Sequence, residues 1–208
     1  MTRVAAPFST PPSQLPHLSP KQGVRKFTVE EYHRLIENSF FALDEKYELV
    51  EGWIVNKMSR NPPHDVAIFL AQSELSSRLP AEWVMRVQLA VTLSDSEPEP
   101  DLAIVRAPGR AYSTRHPNAS EIAMVVESSS TSLEFDRSDK ARIYAVAGVP
   151  VYWILNVVDG QVEVYTSPSE QGSNQGYRTQ EIFEGDDQVQ FVIDGRKIAD
   201  IPVRDLLP

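Results

Sequence analysis

Apolar positions along the chain recur first at helical and then at strand spacing, and the changes of interval mark out its elements. Val29, Tyr32, Leu35 and Ile36 form a helical stripe, and Thr28 with Glu31 makes a capping box, which predicts a helix running to about Asn38. Residues 47–58 hold two β-rich runs on either side of Glu51-Gly52, the pattern of a tight hairpin. After Pro62-Pro63, apolar Val66, Ile68, Phe69, Leu70, Leu75 and Leu79 predict a second helix over 64–79, stopped by Pro80. Residues 83–93 read as a strand, 94–100 as an acidic turn, and 101–105 as a short strand that begins at Asp101. A polar loop runs to about Ser120, and 121–127 is apolar on both faces, as a central strand should be. A polar bend over 128–133 precedes a helix over 136–147, closed by Gly148 and Pro150. Residues 151–156 and 162–166 then flank Asp159-Gly160 as a second hairpin. A loop over 167–176, two strands over 177–183 and 189–193, and a short terminal segment complete the chain. This mixture predicts an α/β (α+β) fold, a mixed sheet flanked by helices.

At 208 residues and 41% hydrophobic, the chain can bury one sizeable core, so a single domain over 27–208 is expected. Residues 1–26 are proline-rich without apolar periodicity and read as a flexible arm. Cysteine is absent, which excludes disulfides and thiolate ligands, and any metal must be held by oxygen or imidazole. Magnesium or manganese is favoured over structural zinc on that ground. No apolar run approaches the roughly 20 residues that a membrane-spanning helix needs, and no signal peptide stands at the start, so the expected location is the cytoplasm. The net charge of −9 weighs against gripping nucleic acid by bulk electrostatics. Any such surface has to be local.

Two carboxylates stand at the mouths of predicted strands, Asp101 beginning one and Glu127 ending another. A carboxylate at the end of an apolar strand costs several kcal/mol unless it is paired, protonated or bound to a cation. A divalent metal meets that need, and hard cations prefer such oxygens. Lys140 lies about one turn into the next helix, where its stem can reach back over the strand end. Two acids and a lysine can supply what phosphodiester hydrolysis needs, an activated water and stabilised charge on the phosphoryl group. Each residue also has a plainer role. Asp101 suits a turn after Pro100, Glu127 suits an ion pair, and Lys140 with Asp136 has the i, i+4 spacing of a surface pair. Ser128 to Ser130 lack a nucleophile elbow, and a bend that offers one backbone carbonyl at Ser128 to a metal suits them better. Tyr144 and Trp153 read as core.

Taken together and in order, Tyr47 to Gly52, Glu99-Pro100-Asp101, Val125 to Ser130, Asp136 to Lys140 and Tyr144 to Trp153 resemble the Uma family of restriction endonucleases. That family is a bacterial branch of the PD-(D/E)XK nuclease superfamily, and the resemblance spans roughly residues 28–207. It implies a restriction-endonuclease-like sheet, DNA as substrate, magnesium or manganese as cofactor, and a homodimer. It also implies Asp101 as the acid of the Pro-Asp motif and Glu127 as the acid of the E-x-K motif. Ser129 stands where that motif has lysine, and Lys140 replaces it from the helix. Glu48 matches an early acid, a further ligand of metal or water, and His64 matches a frequent histidine at a helix start. A catalytically inactive module of the same fold, binding a partner protein or nucleic acid, is the alternative. A two-carboxylate glycoside hydrolase would need neither Lys140 nor a metal.

Overall fold

The computed structural model describes residues 25–42, 45–169 and 176–208; most of the expected N-terminal arm and part of the expected loop over 167–176 lie outside them. Its first helix, α1 (Val29–Glu37), starts at the capping box, with the Thr28 hydroxyl accepting from the Glu31 amide and the Glu31 carboxylate from the Thr28 amide. Strands β1 (Tyr47–Val50) and β2 (Trp53–Asn56) pair as the expected hairpin. Glu51 and Gly52 turn it at φ 49° and 77°. Gly52 cannot carry a side chain, because a Cβ there would lie 2.6 Å from Cβ of Lys26 and 2.9 Å from the Phe27 carbonyl.

Helix α2 (Pro62–Ser76) begins two residues earlier than its pattern predicts. Asn61 caps it through the His64 amide, and the two prolines occupy its first turn, where a missing N–H costs nothing. The six-stranded sheet runs in the order β3 (Trp83–Val87), β4 (Leu102–Arg106), β5 (Ile122–Ser129), β6 (Val151–Asn156), β7 (Gln161–Ser169) and β8 (Gly176–Glu184). Strand β3 stops at Val87 rather than near Leu93, because Gln88 turns into the left-handed region at φ 52°. Neighbours are antiparallel except β5 and β6, which are parallel and therefore need a crossover. That crossover consists of a short turn, α3 (Leu133–Phe135), a π-helical turn (Asp136–Lys140) and α4 (Ala141–Val146). The predicted terminal segment is strand β10 (Arg196–Pro202), paired with β9 (Gln188–Ile193) in a separate hairpin.

Alternation along the strands separates two cores. Met124, Val126, Trp153 and Leu155 face α2 (Ala67, Ala71, Leu75) and the β9–β10 hairpin with Phe191 and Ile201. Val125, Tyr152 and Ile154 face the other side, against Ile143 and Tyr144 of α4. Strand β5 is buried throughout and extends to Ser129, so Glu127 sits inside it, two residues before its end, and the expected bend starts later. No helix among the described residues is long and apolar enough to cross a membrane.

Candidate functional site

Asp101 immediately precedes β4 and Glu127 lies near the carboxyl end of its neighbour β5, so antiparallel pairing brings the two acids together. Each is tied to the other's strand: the Asp101 amide donates to Glu127 Oε2 at 3.2 Å and the Ser128 amide donates to Asp101 Oδ2 at 2.9 Å. Lys140, the last residue of the π-helical turn, donates to Glu48 Oε2 at 2.9 Å and to Glu127 Oε1 at 3.2 Å. Glu48 reaches in from β1 and also accepts the Glu99 amide at 3.1 Å. His64, in the first turn of α2, places Nε2 3.2 Å from Asp101 Oδ2, and its carbonyl accepts from the Ser128 hydroxyl. The structure thus gathers Asp101, Glu127, Lys140, Glu48, His64 and Ser128 in one place, each less than a tenth exposed.

The electrostatics follow from burying several acids around one lysine. Burial pushes the Glu127 carboxyl up to about 7; Lys140 opposes the rise, and the nearby Asp101, Asp136 and Glu48 add to it. Burial lowers the affinity of Lys140 for its proton, but Glu127, Glu48 and Asp136 outweigh it, and the ammonium is held well above its ordinary range. Asp101 goes the other way: burial raises it, yet the His64 hydrogen bond and charge and the Ser128 amide hold it below the usual carboxylate value. His64 is raised in turn, the Asp101 carboxylate outweighing desolvation.

The family model described as "Uma2: Putative restriction endonuclease" matches residues 29–198. The chain belongs to the Uma2 family. One solved relative in fold, described as "a putative nuclease belonging to DUF820 from Anabaena variabilis ATCC 29413", is 16% identical and superposes with a TM-score of 0.64, covering 86% of this chain and 97% of its own. No curated protein matches the chain. Uma2 membership and that likeness give the mixed sheet a nuclease-like fold.

Three further residues of this Uma2 chain join the cluster without being assigned to it from the sequence. Asp136 is buried, accepts from the Ser129 hydroxyl at 2.6 Å, and is pushed by burial up to about 6. The i, i+4 spacing of Asp136 and Lys140 suits a surface pair equally well; here both are 4% exposed and the turn between them is π-helical. Tyr144 is core, as its pattern suggests, but its hydroxyl donates to Glu127 Oε1 at 2.8 Å. Gln88, at the left-handed end of β3, donates to Asp101 Oδ1 at 3.4 Å, and no sequence signal marks it. Among the described residues no three His, Asp or Glu side chains converge as a ready metal cage. The donor set nonetheless fits a hard cation that keeps several waters, since Asp101 and Glu127 offer adjoining carboxylate oxygens. Around Lys140 the buried acids Glu48, Asp101, Glu127 and Asp136 outnumber the ammonium groups.

Proposed function

We propose that this Uma2 protein is a magnesium- or manganese-dependent endonuclease that hydrolyses phosphodiester bonds in DNA. The observation that carries the proposal is the convergence of Asp101, Glu127 and Lys140 at one buried point at the carboxyl end of β5. Asp101 and Glu127 would hold the cation, with the Ser128 carbonyl as a further oxygen. A bound divalent cation there supplies Lewis-acid polarisation of the phosphate and an acidified water. Lys140 carries a fixed positive charge against the phosphoryl oxygens, in a setting where few waters screen it. Glu48 holds the Lys140 ammonium in position, and His64 keeps Asp101 ionised through its hydrogen bond. Tyr144 fixes one oxygen of Glu127, which leaves the carboxylate a single orientation.

Incubating supercoiled plasmid with the protein and magnesium, beside an Asp101→Ala variant, tests the assignment. The wild type should nick, and the variant should lose at least about 100-fold, given that even outer-shell partners of a metal typically contribute 10–100-fold. Equal nicking by both removes the assignment. Calorimetric titration with manganese separates an enzyme from an inactive module of the same fold, because the module would show no binding that depends on Asp101 and Glu127. A homodimer cutting both strands would yield linear product and sediment as two chains.

A further inference from the structure

A cleft of about 510 Å³ adjoins the carboxylate cluster, within the size range of small-ligand sites. Its walls include the rings of Tyr32, Phe41 and Tyr47, the cations Lys46 and Arg60, and Gln88. Gln88 joins it to the cluster: its Oε1 accepts from Arg60 at 2.7 Å while its Nε2 donates to Asp101. Glu99, on the same wall, gives its amide to Glu48. The inner wall of the cleft is therefore the outer wall of the proposed cation site.

The lining has two halves. Phe41 lies against Tyr47 with ring centroids 4.7 Å apart and against Tyr32 at 6.0 Å. Lys46 and Arg60 face two carboxylates, Glu45 and Glu99, of which Glu99 is already matched by Lys57 at 2.7 Å. Only one guanidinium nitrogen of Arg60 is used on Gln88. In a chain of net charge −9, a ring-walled recess with exposed cations beside buried acids suits an occupant that is aromatic at one end and anionic at the other. A paired base in duplex DNA cannot enter such a recess, whereas an unstacked one can.

We infer that this cleft holds one unpaired nucleotide of the strand being cut, its base against Phe41 and Tyr47 and its phosphate on Arg60 and Lys46. The inference rests on the nuclease reading and narrows the substrate class to DNA with a flap, a gap or an extruded base. Fluorescence anisotropy in EDTA tests it without cleavage, using a duplex, the same duplex with a single-stranded flap, and that flap with abasic sites. The wild type should prefer the base-bearing flap over both others by about tenfold. Arg60→Gln and Phe41→Leu should each abolish the preference. Equal affinity for all three DNAs, or a preference that survives in the exposed-site variant Arg60→Gln, overturns the inference. Magnesium-dependent cutting of duplex and flap alike would overturn it while leaving the nuclease reading standing. Flap binding that needs Arg60 and Phe41, in a protein that never cuts, would support the cleft and remove the nuclease.

Discussion

Lys140 stands between two buried carboxylates, so replacing it with methionine leaves Glu48 and Glu127 facing each other without compensation. Breaking a buried ion pair from one side typically costs about 3–5 kcal/mol, and Lys140→Met should lose that much in urea denaturation. Adding Glu127→Gln to that variant should restore part of the loss, because a neutral amide needs no counter-charge. A Lys140→Met protein as stable as wild type would show that the ammonium is not the group balancing these acids. Asp101 and Glu127 are visible in the sequence because an acid at the edge of an apolar strand is conspicuous. Asp136 is not, since its spacing from Lys140 is equally that of a solvated pair. Tyr144 is seen as core from its apolar surroundings, but which group its hydroxyl meets depends on a strand 17 residues away in sequence.

The π-helical turn works as a bridge laid across three strands. Asp136 accepts from Ser129 on β5, its carbonyl accepts from the Tyr152 hydroxyl on β6, and Arg137 grips Glu163 on β7 with contacts of 2.5 and 3.1 Å. Burial raises the Glu163 carboxyl, but hydrogen bonds from Arg137, Tyr165 and Asn156 outweigh it and hold the group below its ordinary 4.5. A depressed carboxyl contributes stability above its unfolded value and loses it as pH falls through the folded one. Thermal melts from pH 6 down to pH 3 should therefore decline less steeply in Glu163→Gln than in wild type. The variant should also melt lower at pH 7, and parallel pH profiles would mean the clamp is not made. The hairpins at Glu51-Gly52 and Asp159-Gly160 can be read in the sequence because their turn residues have a local conformational reason. The π-turn and the left-handed Gln88 have no such signature, so a crossover helix placed three residues late and a strand drawn too long are the natural misreadings.

At the scale of the whole chain, the sheet is held from both sides, and the face bearing Glu127 and the crossover is not the one covered by the β9–β10 hairpin. Phe191 is fully buried against Trp153 on that far face. Phe191→Ala should cost about 3–5 kcal/mol in chemical denaturation, and if folded at the assay temperature it should keep its manganese affinity. Loss of manganese binding without loss of stability would contradict this separation of faces. The α+β class follows from the alternation of element types, but the strand order does not, since pairing is decided between segments far apart in the chain. One further consequence belongs to the crossover. The ammonium meets Glu127 from 13 positions downstream, while Ser129, on the same face of β5 as Glu127, is the position from which a strand-borne lysine would extend. The meeting of ammonium and acid is therefore set by the path of the crossover, and a pattern written as a fixed interval along one strand would pass over it.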